Sequence, residues 1–575
     1  MADPTTDLAD DRLVISLDFG TTFSGVAYAF NIPGKKADVV SILDWPGLTN
    51  KGFRQPKVPT LILYDEEDPS KFKWGGEVDW RDPAVHGVKL LLDPDQPKPA
   101  YLPVSSFKKD IKRLPKDPVD VAADFLGAIY KHALDTIEGA GVREYFKFCQ
   151  KEFILTVPAV WSDKAKDLTL KAAKKAGIHP VTLIKEPEAA ALYTLSSHDH
   201  SLKVGDSFVV CDAGGGTVDL ITYEVTKMKP YLQLAELVPG NGGMAGSLGL
   251  NKRFEEAVRL VVGDEQFYNL RKGVGWAKAS NEFDKNIKIA FSGDITDVHY
   301  VNFPKADLED DPAERLFDNC WEMTGDVLQD IFDPIIRDIV RLVDAQVKDA
   351  MLKRPGDGLK GIFLVGGFGS SRYLKQQLQK EYESMSIQVI QPHDAWGAIV
   401  KGAVLSRVSN QATIVSTQAV RHYGISAWDD FNPIVDHGRK VWHDREYDGR
   451  MKVKKNTWYI YMGEDLKRDQ PIKFPFSRNI SEVHDDQVLV FVDRLVYSES
   501  KVAPVYHGPD VKVSCELRSD LSRVNKNLFE KRTNVDGKPY LCIKYNLVLS
   551  TDAANMRFSL EFDNTEIGSV EASYT

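Results

Sequence analysis

Two stretches with the same plan decide the fold: LVISLDFGTTFSGVAY (13–28) and FVVCDAGGGTVDLITY (208–223). Each begins with an apolar run typical of a buried strand. It continues through an aspartate and a turn rich in glycine and threonine, and ends in a second strand that closes on tyrosine. The two copies stand too far apart for a solenoid repeat. The repeated plan therefore predicts two related lobes that face each other.

The first turn, DFGTT (18–22), has the residue types of an anion site. Gly20 permits a positive φ in a tight turn, and successive N–H groups in such a turn form a nest for an anion. Thr21 and Thr22 add hydroxyl donors. Asp18, at the end of the strand, offers the oxygen ligands that a hydrated Mg²⁺ prefers. Taken alone, an ordinary Asp-x-Gly hairpin explains this segment equally well.

The second turn, DAGGGT (212–217), is a sharper signal because it holds three consecutive glycines. Glycines weaken a hairpin through backbone entropy. That cost is easiest to explain if something large must approach the backbone closely, and a polyphosphate fits. Asp212 supplies a second carboxylate near the metal. Asp219, on the outgoing strand, has an open role.

A strand-to-helix junction follows in LIKEPEAAALY (183–193). Pro187 suits the start of a helix. Glu186, just before it, stands where a carboxylate can orient water or bind the metal shell. The alternative is a favourable charge at a helix N-terminus.

A second junction lies at GGFGSSR (366–372), where Gly366 and Gly367 let the backbone pass close to a flat ligand. Arg372 can stack its guanidinium on a purine. The alternative is a plain turn into a helix with Ser370 as the N-cap. Neither a Walker loop nor a Rossmann fingerprint is present in the sequence.

Composition places the chain among folded globular proteins. Of 575 residues, 43% are hydrophobic and 27% charged, and the net charge of −10 disfavours a mainly electrostatic nucleic-acid binder. No apolar run reaches the length of a membrane span, and the acidic start lacks the apolar core of a secretory signal. The five scattered cysteines favour a reducing compartment over a structural zinc site. We therefore expect a cytoplasmic protein that binds neither nucleic acid nor membrane.

The chain divides by pattern. Residues 1–11 indicate a disordered tail, and 12–408 alternate strand-like and helical stretches, as in an α/β fold. Residues 409–418 are polar and predict a linker. Residues 419–575 contain short runs with period two, which predict a β-rich domain. No helical pattern follows the last run, so no helical lid is expected.

Together these segments resemble the actin-type ATPase fold, and specifically the seventy-kilodalton heat-shock chaperone family. DFGTT and DAGGGT are similar to its first and second phosphate loops. TVPAVWSD (156–163) and KEPEAAAL (185–192) resemble its connecting segment, FLVGGFGSSR (363–372) its adenosine loop, and QPHDAWGAIVKGA (391–403) its closing segment. The order and spacing cover residues 12–408. The match is to a divergent, lid-less member.

The resemblance implies two ribonuclease-H-like lobes that bind Mg-ATP between them and hydrolyse it slowly, and it assigns roles to residues of this chain. The metal-side residues are Asp18 and Asp212. The residues implied in catalysis are Lys89, Glu186, Asp212 and Thr217. The residues implied in binding ATP or ADP are Gly20, Thr21, Thr22, Gly214, Gly215, Gly216, Thr217, Gly246, Glu282, Lys285, Gly366, Gly367 and Arg372.

Departures from the family pattern concern the nucleotide and the coupling between domains. Asn286 replaces an arginine beside Lys285, which removes one side of the adenine sandwich. Ala-Gly-Ser-Leu (245–248) replaces an acidic segment, and Lys166 stands where an arginine is usual. Arginine and lysine are not equivalent in bidentate pairing.

The implied function is that of an ATP-binding, slowly ATP-hydrolysing chaperone-like protein. Its nucleotide state would bias a C-terminal β-sandwich-like domain that binds a peptide or protein client, with co-chaperones or an exchange factor as further partners. One alternative is a nucleotide-gated adaptor that binds ATP or ADP without productive hydrolysis. Others are a small-molecule kinase of the same superfamily and a filament former.

Overall fold

The computed structural model describes residues 11–79, 82–93, 114–140, 143–197, 202–356, 358–408, 413–482, 489–551, 554 and 556–574. The chain divides into two compact units, Met1–Ile414 and Val415–Thr575. Of the predicted tail, residues 1–10 lie outside the described residues. Asp11 differs from the expectation, because it is buried and accepts a hydrogen bond from the Tyr145 hydroxyl at 2.5 Å.

Unit 1 contains both strands and helices. Its strands are β1 (Arg12–Asp18), β2 (Phe23–Asn31), β3 (Val40–Ser41), β4 (Lys57–Pro59), β5 (Leu61–Tyr64), β6 (Phe72–Trp74), β7 (Val85–His86), β8 (Gln150–Val157), β9 (Val181–Lys185), β10 (Ser207–Ala213), β11 (Val218–Lys227), β12 (Gln233–Gly243), β13 (Val298–Asn302), β14 (Leu316–Phe317), β15 (Cys320–Thr324), β16 (Leu359–Val365) and β17 (Gln388–Ile390). Its helices are α1 (Pro118–Gly139), α2 (Arg143–Phe148), α3 (Asp163–Lys175), α4 (Glu186–Ser197), α5 (Leu248–Leu270), α6 (Val274–Glu282), α7 (Lys288–Ala290), α8 (Gly325–Lys353), α9 (Arg372–Tyr382) and α10 (Ala398–Leu405).

Two sheets of unit 1 repeat one arrangement. In the first sheet the order β3-β2-β1-β8-β9 joins an antiparallel hairpin, β1–β2, to the parallel strands β8 and β9. In the second sheet the hairpin β10–β11 joins β16 and β17 in the same way, and β12 extends it beyond β11. The two hairpins are the two sequence stretches with the shared plan. Unit 1 is therefore a mixed α/β structure in which this plan occurs twice.

The register places equivalent residues at the ends of the two hairpins. Asp18 pairs with Gly25 across the first hairpin, and Asp212 pairs with Asp219 across the second. Both aspartates lie at the carboxyl end of a central strand that runs parallel to its outer neighbour. In open sheets of this kind, ligands bind at that edge.

Helix ends follow local sequence signals. Ser162 caps α3, accepting a hydrogen bond from the Ala165 N–H at 3.1 Å, and Gly177 beyond that helix has a φ of +80°. Asp117 caps α1 by accepting from the Val119 N–H at 2.9 Å. Among the described residues, none of the helices is both long enough and apolar enough to cross a bilayer.

Helices α4 and α10 pack closely because a glycine lies at their contact. A Cβ added at Gly402 would lie 1.7 Å from the Ala189 carbonyl oxygen. We therefore expect Gly402→Ala to lower the free energy of unfolding by about 1–3 kcal/mol, since the backbones must separate. Gly139→Ala is the matched control, because nothing lies within 4 Å of its added Cβ. Urea denaturation of both variants measures the difference. Equal urea concentrations at the two unfolding midpoints would contradict the close packing.

Unit 2 is built from strands. β18 (Thr413–Gln418) leads into it, followed by β19 (His422–Asp430), β20 (Val441–His443), β21 (Met451–Ile460), β22 (Asp465–Lys467), β23 (Ile472–Ser481), β24 (Val490–Ser498), β25 (Lys512–Asp520), β26 (Glu530–Thr533), β27 (Pro539–Thr551), β28 (Met556–Phe562), β29 (Thr565–Ser569) and β30 (Glu571–Tyr574). One sheet has the order β20-β21-β19-β24-β25-β30, and a second has β23-β27-β28-β29 with β26 beside β27. Side chains of both sheets, such as Leu495 and Leu547, share one apolar core.

The predicted linker at 409–418 is wrong in its second half. Residues 409–412 lie outside the described residues, but Thr413–Gln418 forms a strand whose Ser416–Gln418 segment pairs with β22. Two of the buried positions in this strand, Ser416 and Thr417, are polar. A hydrophobicity pattern therefore does not reveal the strand.

Candidate functional site

The two aspartate turns face each other directly. A Cβ added at Gly215 would lie 2.3 Å from Thr22 Oγ1, and one added at Gly216 would lie 2.8 Å from Thr21 Oγ1. The absence of side chains in the second turn is therefore what admits the threonines of the first. The glycine triplet and the threonine pair were predicted separately as phosphate contacts, and the structure brings them together.

A third segment closes on the second turn. The Ser247 and Leu248 N–H groups donate to the carbonyl oxygens of Gly214 and Gly215 at 3.2 and 2.8 Å. A Cβ at Gly246 would lie 2.4 Å from the Gly215 oxygen. Gly246 therefore contacts the second turn itself, and its predicted contact with a phosphate stays a prediction.

The predicted reason for Gly20 is wrong. Gly20 is not among the glycines with a positive φ. Instead, a Cβ at Gly20 would lie 2.0 Å from the Phe23 carbonyl oxygen, so a side chain has no room in the turn. By contrast, Gly366 has a φ of +89°, and its added Cβ would lie 2.3 Å from Asp212 Oδ1. Of these two glycines, only Gly366 has the positive φ, while both lack room for a side chain.

Asp212 is a buried carboxylate with one unpartnered oxygen. Its residue is 3% exposed, and Oδ1 has no hydrogen-bond partner among the described residues. Burial raises the pKa of Asp212 well above its usual range, and the nearby Glu186 and Asp219 charges add to the shift. A buried polar atom without a partner is unfavourable unless a ligand completes it. This oxygen suits a cation or a ligand-bound water.

Asp18, the equivalent carboxylate of the first hairpin, has both oxygens occupied. The Lys57 ammonium donates to Oδ2 at 2.6 Å, and the Thr156 hydroxyl donates to Oδ1 at 2.8 Å. Burial opposes the charge, yet the ammonium groups of Lys57 and Lys89 lower the pKa of Asp18 below its usual range. Asp18 is therefore ionised near neutral pH.

Lys89 and Glu186 form a buried ion pair. Lys89 lies in a 3-10 turn at Val88–Leu92, and Glu186 begins α4 directly after β9. Lys89 Nζ donates to Glu186 Oε1, and both residues are nearly inaccessible. Burial raises the pKa of Glu186 to about 7, although the Lys89 charge acts in the opposite direction. Glu186 is thus poised to exchange a proton near neutral pH.

Asp219 and Thr217 complete the polar end of the second hairpin. Asp219 is buried, accepts from the Val160 N–H at 3.2 Å, and is hydrogen-bonded by the Thr217 side chain. Burial raises the pKa of Asp219. Its carboxylate holds the 156–163 segment against the hairpin, which gives a structural role to the residue that the sequence left open.

The residues predicted for the adenosine side lie on two segments, and the aromatic side chains of Phe23 and Trp396 lie beside them. Lys285 Nζ stands 4.8 Å from the centre of the Phe23 ring, and that ring meets Trp396 edge-on at 5.4 Å. A Cβ at Gly367 would lie 3.9 Å from the Trp396 indole. Glu282 accepts from Asn286 Nδ2 at 2.8 Å within their helical stretch. These contacts give an aromatic surface next to the first turn.

Arg372 stands at the first position of α9 and is exposed. The N-cap of α9 is Ser371, which accepts from the Leu374 N–H at 3.3 Å, and not Ser370. Ser370 instead donates to the Gly367 carbonyl oxygen at 2.6 Å.

Two residues of the site were missed by sequence reasoning. Lys57 stands alone before an apolar strand, and nothing local signals that it reaches Asp18. Trp161 is buried with Nε1 unpartnered among the described residues, and Lys89 Nζ lies 5.5 Å from its ring centre. Its only signal was its place in the TVPAVWSD segment.

The donor set fits a magnesium ion that is carried by a polyphosphate. Within the described ranges, no three His, Cys, Asp or Glu side chains gather into a metal-binding cluster. Magnesium in nucleotide sites usually takes only one or two carboxylates, with water and phosphate oxygens as its other ligands. The unpartnered Asp212 Oδ1 and the side-chain-free second turn match that requirement.

Comparison with known proteins bears directly on the predicted resemblance. Residues 118–229 match the family model described as Hsp70 protein, and residues 203–392 match a model described as a domain of unknown function. Mouse "Heat shock 70 kDa protein 12A" is 24% identical over 91% of this chain and 86% of its own length. The chain is thus similar to an Hsp70 protein over most of its length.

Two further Hsp70 proteins match over smaller shares of the chain. Human "Heat shock 70 kDa protein 12B" is 23% identical over 82% of this chain and 80% of its own length. "Chaperone protein DnaK" of Methanothermobacter thermautotrophicus is 23% identical over 69% of this chain and 61% of its own length. The resemblance to the Hsp70 family that the phosphate turns predicted is thereby confirmed.

Proposed function

We propose that unit 1 binds ATP or ADP with Mg²⁺ between the two aspartate turns and hydrolyses ATP slowly. The proposal rests on one observation: Thr21 and Thr22 pack directly against Gly216 and Gly215, close to the Asp212 oxygen that has no partner among the described residues. Threonine hydroxyls and a glycine-rich backbone lie together there, and turns of this composition suit phosphate oxygens. The two sheets would be the two lobes of the actin-like fold.

Each residue of the site has a distinct part in this proposal. The Gly214–Thr217 turn and Thr21–Thr22 would hold the phosphates. Asp212 would bind the metal ion or its water ligands. The bound ion would supply charge to polarise the γ-phosphate. Lys89 would stabilise charge that develops on the phosphate, and Glu186 would orient the attacking water and take its proton.

Turnover tests the proposal. Purified full-length protein should release phosphate from ATP over several turnovers, and Glu186→Gln should lower that rate by about 100-fold or more, since a positioned base contributes that much. Phosphate release by the wild type no faster than by the variant would contradict the hydrolytic proposal.

The pH dependence of turnover follows from the raised pKa of Glu186. A carboxyl with a pKa of about 7 is mostly protonated at pH 6 and mostly ionised at pH 8. Because the ionised form accepts the proton, we expect the rate to rise about tenfold across that interval. The rate of Glu186→Gln should stay flat. A wild-type rate that falls as the pH rises would overturn the assignment.

The client-binding part of the proposal concerns unit 2. We propose that this unit is a β-sandwich-like domain that binds a peptide or protein, since two β-sheets share its core and the relative from Methanothermobacter is named a chaperone protein. Extended strands capture peptides by backbone pairing and side-chain pockets. Nucleotide state would bias this binding, and co-chaperones or an exchange factor would set the cycle. The cytoplasmic location stays a prediction from composition and cysteine spacing.

A second candidate is a nucleotide-gated adaptor that binds without productive hydrolysis. It is favoured by Asn286, whose amide is engaged with Glu282 at 2.8 Å instead of offering a cationic face to a base. Stoichiometric nucleotide binding together with a single turnover would select the adaptor over the ATPase. A small-molecule kinase would instead show ADP formation that depends on an added substrate.

A further inference from the structure

Lys57 fills a place in the first hairpin that a carboxylate fills in the second. Asp219 pairs with Asp212, but the residue paired with Asp18 is Gly25. A Cβ on Gly25 would lie 3.0 Å from Lys57 Cγ. The missing side chain thus makes room for the aliphatic stem of Lys57, which arrives on β4, a strand paired with β2. The two halves of the site therefore differ in one charged group: the first has the Lys57 ammonium next to its aspartate, where the second has the Asp219 carboxylate.

The ammonium group at the end of this stem is fixed among the carboxylates. Lys57 is 5% exposed, and its Nζ lies 2.6 Å from Asp18 Oδ2. Its charge also acts on Asp212 and Glu186. The hydrogen bond to Asp18 fixes this positive charge beside the carboxylates, and the packed aliphatic stem keeps it from moving away.

Asp18 and Asp212 consequently offer different things to a cation. Asp18 has a donor on each oxygen, Lys57 on one and Thr156 on the other. Asp212 has Oδ1 without a partner among the described residues. An ion or its waters would meet an oxygen without a donor at Asp212, whereas at Asp18 they would share oxygens that already accept hydrogen bonds, one of them charge-assisted.

We propose that Lys57 is a built-in cation of the nucleotide site, which takes over at Asp18 the charge compensation that a divalent ion would otherwise provide. Nucleotide affinity is then only weakly dependent on Mg²⁺. This inference rests on the proposed nucleotide binding by unit 1. It concerns the division of charge within the site, so it can fail while nucleotide binding stands.

The test is the affinity for ADP, measured by calorimetry on the full chain in excess Mg²⁺ and again in excess EDTA. For the wild type we expect the two dissociation constants to differ by less than about threefold. For Lys57→Gln we expect removal of Mg²⁺ to weaken binding by about tenfold or more, since a charge-assisted contact is lost. The readout is binding, so it does not depend on turnover.

A second variant separates the loss of the Lys57 charge from misfolding. Lys57→Gln leaves the Asp18 carboxylate buried without its cation, which destabilises a folded protein. The double variant Lys57→Gln/Asp18→Asn keeps a neutral hydrogen-bonding pair in the same space. Because it removes the Asp18 charge together with its cation, its two dissociation constants should again differ by less than about threefold. A wild-type affinity that falls tenfold in EDTA would overturn the inference and leave nucleotide binding intact. Absence of ADP binding under both conditions would overturn both.

Discussion

Lys89→Ala is expected to lower the free energy of unfolding by about 3–5 kcal/mol and to remove measurable ATP turnover. Lys89 is 3% exposed, and its ammonium is paired with the equally inaccessible Glu186. Removing one partner of a buried pair leaves the other charge without compensation. Because Glu186 has a pKa of about 7, it can escape part of this cost by taking up a proton. The destabilisation should therefore be smaller at pH 6 than at pH 8.

Urea denaturation of the nucleotide-free protein at the two pH values measures this effect. Lys175→Ala is the matched control, because its ammonium also contacts a carboxylate, that of Asp120, but both side chains are about half exposed. We expect this control to change stability by less than about 1 kcal/mol. The double variant Lys89→Met/Glu186→Gln should recover most of the stability without recovering turnover. Equal losses for Lys89→Ala and Lys175→Ala would contradict a buried ion pair.

Gly246→Ala is expected to weaken Mg-ATP binding by about 100-fold or more, because a single methyl group would displace the second turn. The added Cβ would lie 2.4 Å from the Gly215 oxygen and 2.5 Å from the Gly216 carbonyl carbon. Both atoms are backbone, so no side-chain rotation relieves the contact. Overpacking of this kind also costs about 1–3 kcal/mol of stability, which leaves a protein of this size folded at moderate temperature.

Gly243→Ala is the control for this prediction. Gly243 lies at the end of β12, three residues before Gly246, and its added Cβ would make only an ordinary contact of 3.5 Å with Leu342. Its affinity for Mg-ATP should stay within about threefold of the wild type, because the packing demands little adjustment. If the two alanine variants bound Mg-ATP equally, Gly246 would not support the phosphate site.

Much of the two hairpins could be predicted from the sequence, because apolar runs bounded by aspartate and glycine are strong local signals. Helices α1 and α3 were also predictable, because their capping residues and apolar periodicity mark them in the sequence. The strand at Thr413–Gln418 was not, because Ser416 and Thr417 are buried and polar. Its formation depends on pairing with a partner strand, which no local pattern records.

In the candidate site, residue types in the turns were predictable and their partners were not. Asp18 was expected to face a metal, yet its oxygens are taken by Lys57 and Thr156, which come from β4 and β8. Those contacts arise from tertiary packing of strands distant in sequence. Gly20 shows the same limit, since its need for glycine comes from the Phe23 carbonyl oxygen and not from a positive φ.

Calorimetric titration of Mg-ATP into the full-length wild type and Gly246→Ala tests most directly the claim that phosphates bind between the two turns. We expect one nucleotide bound per wild-type chain, and at least about 100-fold weaker binding by a variant that remains folded by circular dichroism. A wild type that binds no nucleotide, or a variant that binds as tightly as the wild type, would contradict it.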